Sequence, residues 1–279
     1  MKITMKKTRI GNTNEEIPII GQGSYGIFPG ESQEIYNQWI KIFRKGIELG
    51  MTHIDTAELY GNGKSEEIVG KAIKDYEREE IFITTKMLPK RKTKKEMHRA
   101  INKSLERLEL EYVDLYLIHW LESDSSIRKI IHTFEEFVDQ GKTRYIGVSN
   151  FSRDEFKTAQ TIAKKYEIIT NQIEINISKQ APIHNDLEFY KKENALLTAY
   201  TPLAKGNFTN LHPTLLQHLK DIASRYEVTT PQIALAWVIN HENVIAIPRT
   251  SSLKHLSENA EAEKIKLSKE DMKDLYLRE

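Results

Sequence analysis

The chain contains no cysteine. Disulfides, thiolate nucleophiles, iron–sulfur clusters and Cys-type zinc sites are therefore excluded. It also lacks any apolar run approaching the roughly 18 residues that a membrane span requires. The N-terminal residues 1–8 are polar and basic with no apolar run behind them, unlike a secretion signal. A soluble, cytoplasmic protein that does not engage membranes is expected. No sign of charge dominates: 41 basic side chains face 40 acidic ones, for a net charge of +1. Such a balance argues against nucleic acid as the partner. The Lys- and Arg-rich stretch 86–95 accordingly reads as a solvated loop rather than a binding patch. No Pro/Gly/Ser-rich linker divides the sequence, so residues 1–279 are expected to form a single domain.

What is present is an alternation of short apolar strands and amphipathic helices. Strands are expected at 19–22, 52–55, 81–86, 113–119, 144–149, 168–172, 196–200 and 244–248. Helical patterns cover 34–49, 65–76, 93–108, 127–140, 153–166 and 182–193, a pair spans 213–241, and a last one starts at Leu253. Ser152 and Thr230-Pro231 are helix-start signals. Two short segments, 8–10 and 16–18, flank Gly11-Asn12-Thr13-Asn14 and read as a hairpin. Eight alternating units favour an α/β fold, a (β/α)8 TIM barrel preceded by an N-terminal β-hairpin. The motif Gly21-x-Gly23-x-x-Gly26 fits a dinucleotide-binding loop, but Pro29-Gly30 follows where a helix should open, so the Rossmann reading is set aside.

In such a barrel, chemistry belongs at the C-terminal ends of the strands. Here those ends are polar: Asp55, Lys86, His119-Trp120, Ser149-Asn150, Gln172, Tyr200 and Arg249-Thr250. The stretch from His53 to Glu66 is the most telling, because it delivers a carboxylate at Asp55 and a phenol at Tyr60. A tyrosine of pKa about 10 is a weak acid unless a cation stabilises its phenolate. Lys86 is the expected cation, Asp55 the acid that holds it, and His119 a second hydrogen-bonding ring. Ordinary roles exist for each alone: a loop acid, a loop aromatic, a surface lysine and a buried histidine. Their convergence on neighbouring strand ends favours catalysis.

The motifs D-T-A-x-x-Y-G-x-G-x-S-E at 55–66, I-G-V-S-N-F at 146–151, N-Q-I-E at 171–174, P-L-A-x-G at 202–206 and I-P-R-T at 247–250, with Glu258-Asn259, are specific. On these the chain resembles the aldo-keto reductase superfamily. The resemblance implies reduction of an aldehyde or ketone, a small-molecule carbonyl substrate, with Asp55, Tyr60, Lys86 and His119 as a catalytic tetrad and Tyr60 as proton donor. It implies NADPH as cofactor, with NADH a weaker alternative. Ser149, Asn150 and Gln172 would bind the carboxamide, and Tyr200 would stack on the nicotinamide. Pro202, Leu203, Ala204, Lys205 and Gly206 would line the pyrophosphate, Arg249 and Thr250 would meet the 2′-phosphate, and Glu258 and Asn259 would meet adenine.

Two departures stand out. His255 occupies a position where the family often has arginine, which lowers the expected preference for NADPH. The C-terminal segment 267–277 looks helical rather than lid-like, which suggests an open site of broad substrate choice. Tyr25 and Trp120, with Phe28 and Phe151, are expected around the substrate. A second reading, from a different class, is a barrel that binds NADP(H) as a redox-sensing or regulatory subunit. The intact tetrad speaks against it. A metal-dependent hydrolase is disfavoured because no metal-ligand pattern such as H-x-H occurs.

Overall fold

The structure, a computed structural model, describes residues 5–208 and 210–276. Eight parallel strands form the sheet in chain order: β3 (Gln22–Gly23), β4 (His53–Asp55), β5 (Phe82–Met87), β6 (Val113–Ile118), β7 (Thr143–Ser149), β8 (Ile168–Glu174), β9 (Leu196–Tyr200) and β10 (Val244–Ile247). The ring is joined where the first strand meets the last. Gly21 N–H donates to Ala246 O (2.8 Å), Ala246 N–H to Ile19 O (2.9 Å), and Gly23 N–H to Pro248 O (2.9 Å). An antiparallel hairpin, β1 (Lys7–Arg9) and β2 (Glu16–Pro18), precedes the ring. The (β/α)8 barrel with its leading hairpin is the expected architecture.

The helices are α1 (Gln33–Glu48), α2 (Lys64–Ile73), α3 (Lys94–Leu108), α4 (Ile127–Asp139), α5 (Arg153–Ile162), α6 (Ala181–Lys192), α7 (Pro213–Arg225), α8 (Thr230–Ile239), α9 (Leu253–Glu261) and α10 (Lys269–Asp274). Among the described residues no helix is long and apolar enough to cross a membrane. Side-chain caps start several helices; Ser152 and Glu155 form a capping box at α5, and Thr229 and Gln232 form one at α8. Each such cap contributes about 0.5–2 kcal/mol.

Two apolar clusters follow from strand alternation. Along β6, Leu115 and Leu117 join an inner cluster with Phe82, Ile169, Leu196 and Ile245, while Tyr116 and Ile118 join the outer one beneath the helices. Ile10 and Ile17 from the hairpin also belong to the inner cluster, so the hairpin plugs the N-terminal end of the barrel. Full burial of each such side chain is worth roughly 1.5–3 kcal/mol. With that end stoppered, the C-terminal strand ends are the open mouth.

Several boundaries differ from expectation. The first strand pairs through Gln22–Gly23, with Ile20 bridging to Ala246, rather than along 19–22. Helix α5 stops at Ile162, not at residue 166, because the Glu135 carboxylate accepts the N–H groups of Lys164 (2.7 Å) and Lys165 (2.6 Å) and draws the chain away. Helix α2 ends at Ile73 rather than at 76. The expected pair over 213–241 is α7 and α8, separated at Glu227, whose φ is +55°, and the second helix ends at Ile239 rather than at 241. Of the segment 267–277, residues 269–274 are helical and Leu277 lies outside the described residues. The Gly21–Gly26 motif opens no helix, since α1 starts only at Gln33.

Candidate active site

Strand β4 carries Asp55 to its last position, where the carboxylate is buried. The chain then turns through left-handed backbone at Gly61, Asn62 and Gly63. Gly61 is required there: φ is +57°, and a Cβ would stand 2.3 Å from Ile27 O. The turn is clamped by Ser65, which donates to Ser24 Oγ (2.6 Å). Glu66 secures it further, accepting from Thr85 Oγ1 and Arg107 Nε, both at 2.6 Å. The serine and glutamate of the motif are thus structural, and they hold Tyr60 over the barrel mouth.

Lys86, on β5, is fully buried. Its Nζ donates to Asp55 Oδ1 (2.5 Å) and Thr56 O (2.8 Å), and it lies 3.4 Å from Tyr60 Oη. Burial pulls the Lys86 ammonium down, but Asp55 and Tyr60 more than offset this and leave it above the ordinary lysine value. Burial likewise pushes the Asp55 carboxyl up, against Lys86 and a hydrogen bond from Gln172. The acceptors around Nζ fit the charged state of this pair.

The phenol departs from expectation. Burial raises Tyr60; Lys86 lowers it and Asp55 raises it again, so its pKa ends above the ordinary value rather than below it. Burial is the larger influence, and the carboxylate that holds the ammonium offsets part of its pull on the phenol. Tyr60 is therefore a neutral phenol in the ligand-free site. His119 follows β6, and its ring meets Tyr60 edge to face at 5.6 Å between centroids. Burial, then Lys86, lowers its pKa to about 3, so the imidazole is neutral at physiological pH. Its buried Nδ1 has no hydrogen-bond partner among the described residues.

The opposite side of the mouth comes from β7, β8 and β9. A register shift between β7 and β8 sets Ser149 beside Gln172. Ser149 Oγ donates to Gln172 O (2.8 Å), Asn150 Nδ2 donates to His119 O (2.9 Å), and Tyr200 Oη donates to Asn150 Oδ1 (2.9 Å). Asn150 has φ +59°, and Thr201, Ala204 and Lys205 are also left-handed at +51°, +48° and +58°. Such conformations cost roughly 1–3 kcal/mol each and concentrate at functional sites. Asn176 Nδ2 supports this loop through Thr201 O (3.2 Å). Gly206 N–H closes its turn onto Leu203 O (2.7 Å), just after buried Pro202.

Beyond β10, Arg249 is exposed; its Nε donates to Tyr25 O (3.0 Å), and its guanidinium lies over Trp39 at 4.8 Å. Thr250 Oγ1 accepts from Ser252 N–H (3.1 Å), and Ser252 caps α9. His255 lies exposed on the first turn of that helix, followed by Glu258 and buried Asn259, whose Nδ2 has no partner among the described residues. Tyr25, 62% exposed, packs edge to face on Tyr60 at 5.3 Å, and Trp120 packs on His119 at 4.7 Å. Phe28 is 51% exposed at the rim. Phe151 does not join them; it is buried in the outer core. Sequence reasoning missed Leu59, exposed beside Tyr60, and the loop braces Glu58–Arg91 (2.8 Å) and Lys92–Glu122 (2.7 Å). Runs of charge in those loops were the available signal. A cleft of about 400 Å³ lined by Lys71, Lys103 and Glu106 lies on α2 and α3, outside the barrel, and holds none of these groups.

Known proteins are similar to this chain. A profile of the Aldo/keto reductase family matches residues 20–276. "Methylglyoxal reductase YeaE" of Escherichia coli (strain K12) is 31% identical over 92% of this chain and 89% of its own length. The crystal structure of a thermostable aldo-keto reductase, Tm1743, with the inhibitor epalrestat superimposes with a TM-score of 0.91 at 39% identity, covering 97% of this chain and 98% of that one. An aldo-keto reductase from Klebsiella pneumoniae in complex with NADPH gives 0.88 at 34% identity, over 98% of this chain and 94% of that one.

Proposed function

The chain belongs to the aldo/keto reductase family and is an NAD(P)H-dependent oxidoreductase, and from this premise we propose that it reduces aldehydes or ketones to alcohols with Tyr60 as proton donor. The observation that carries the reading is the buried Lys86 ammonium held between Asp55 Oδ1 and Tyr60 Oη. A neutral phenol is the donor form, and the ammonium beside it stabilises the phenolate left after transfer. Neutral His119 offers a ring nitrogen to orient the carbonyl oxygen without competing as an acid. Tyr25, packed on Tyr60, and Trp120, packed on His119, would line the substrate pocket.

The residues present fit the dinucleotide. Asn259 has a buried, unpartnered Nδ2 at the adenine end, and the left-handed run at Ala204, Lys205 and Gly206 folds the backbone into a compact cradle, where a glycine lets a pyrophosphate approach closely. Pro202 and Leu203 lead into that cradle, and Ser149, Asn150 and Gln172 frame the carboxamide position beside Tyr200. Arg249 and Thr250, with Glu258 and His255 behind them, frame the 2′-phosphate end. Bound there, NADPH supplies the hydride. Short aldehydes such as methylglyoxal are the substrates of first choice, by analogy with the E. coli relative.

Tyr60→Phe tests the proposal. The purified variant is expected to lose about 10²–10⁴-fold in methylglyoxal reduction, while NADPH affinity by fluorescence titration stays within about threefold. Reduction at the wild-type kcat would remove Tyr60 from the chemistry.

A further inference from the structure

Gln172 is buried on β8 and reaches across the barrel mouth to the far end of β4. Its Nε2 donates to Asp55 Oδ2 at 2.7 Å, while Oδ1 of the same carboxylate takes Lys86 at 2.5 Å. The carboxylate is thus pinned at both oxygens from opposite sides. Held at one oxygen only, it would turn freely about a broad terminal torsion and take the ammonium with it. A neutral amide is the right donor for the second oxygen. A cation there would compete with Lys86 for the charge of Asp55, whereas an amide supplies a hydrogen bond and leaves that charge to the lysine. The same residue's carbonyl accepts from Ser149 Oγ (2.8 Å) and Asn150 N–H (2.9 Å). One residue therefore joins the β7–β8 corner to the Asp55–Lys86–Tyr60 row.

We propose that Gln172 is a positioning residue for the proton donor: its side-chain amide fixes Asp55, and through Asp55 and Lys86 it sets the acidity of Tyr60. This rests on the reading of Tyr60 as the acid and extends it to a residue that the family resemblance places on the cofactor alone. The titratable groups facing this row are Lys86 and Tyr60 themselves, His53 on β4, His119 after β6, Tyr200 after β9 and Tyr25 against the phenol ring. Without the amide, Asp55 turns both oxygens to the ammonium and draws it from the phenol, so the phenolate loses its stabilising charge.

The experiment is an ultraviolet titration of cofactor-free protein, in which the Tyr60 phenolate signal is isolated by subtracting the Tyr60→Phe curve. Gln172→Met, similar in length but without a donor, is expected to raise the Tyr60 midpoint by roughly half a pH unit or more. Gln172→Asn, whose amide is withdrawn by one methylene, is expected to fall between. The kcat-pH profile of each variant should shift in the same direction. If Gln172 serves only the cofactor, both variants keep the wild-type midpoint, or move it down, and the proposal is overturned. Near-ultraviolet circular dichroism identifies a variant that has not folded, and the other variant then decides. Failure of the Tyr60 reading is separable, because it shows as activity retained in Tyr60→Phe whatever the midpoints do.

Discussion

The two sides of the barrel mouth are built on different terms. On the β4–β6 side, Asp55 and Lys86 are buried and already hydrogen-bonded to protein, so that row is complete without a ligand. On the β10–α9 side, Arg249, His255 and Lys254 stand exposed, and Asn259 Nδ2 has no hydrogen-bond partner among the described residues. Chemistry that depends on tenths of an ångström is preorganised. Recognition of a large, flexible dinucleotide is left for the ligand to complete. What is set in advance there is the Arg249 guanidinium over Trp39 and, after β9, the left-handed run at Ala204–Gly206.

The contrast breaks most visibly at Lys86. Lys86→Met leaves the Asp55 carboxylate buried without its cation, a defect that typically costs about 3–5 kcal/mol, and it removes the charge that stabilises a phenolate. A loss of about 100-fold or more in kcat is expected, together with a lowered urea midpoint. Adding Asp55→Asn should restore part of the stability and none of the activity. A single variant as stable and active as wild type would show that this side is not preorganised around Lys86.

At the open side the effect should be smaller and confined to the ligand. Arg249→Ala is expected to weaken NADPH roughly ten- to hundredfold, since a charged hydrogen bond is worth about 1.5–3 kcal/mol, with little change for NADH. Raised salt should narrow the wild-type preference, because the contact is near the surface. Fluorescence titration of both cofactors checks this, and equal losses would place Arg249 outside phosphate recognition.

The smallest effect sharpens the comparison through stability alone. His53, buried in the barrel wall, has its pKa lowered from 6.5 to about 3, by burial and then by Lys86. Between those pH values the unfolded chain takes up a proton that the folded chain refuses. Its contribution is therefore fully present above pH 6.5 and is lost as pH falls toward 3. In His53→Gln, stability should fall less steeply with acidification, by up to about 1.4 kcal/mol per pH unit. Urea unfolding at pH 7, 5.5 and 4.5 measures the difference between the two slopes. Parallel slopes would mean that His53 is protonated in the folded protein.

How much of this was legible in the residues depended on whether the cause was local. Strand ends and helix starts are local signals, and they placed Asp55, Lys86, His119 and the capping box at Ser152. The stop of α5 was hidden, because its cause is Glu135 on a neighbouring helix. The direction of the Tyr60 shift was hidden for a similar reason: residue types reveal that a cation is available, but not that the phenol is buried beside it with a carboxylate offsetting part of the cation's pull. The Gln172–Asp55 bond spans 117 residues of sequence and leaves no pattern in either segment. Arg249 was located correctly at a strand end, yet nothing in the sequence indicated its stack on Trp39.

The place where the ring joins itself has a consequence for how the protein is made. Ile19 and Gly21 meet Ala246, a partner that comes far later in the sequence. A chain emerging from the ribosome cannot form that contact until the last strand has been synthesised. Until then the early strands are an open sheet with two bare edges, and an unpaired edge is the surface on which strands of separate chains add to one another. The hairpin plug, made first, can seat only on a floor assembled from strands that arrive much later. The cylinder closes only once its last strand has been made, and the interval before then is when the cell has most need to keep neighbouring copies apart.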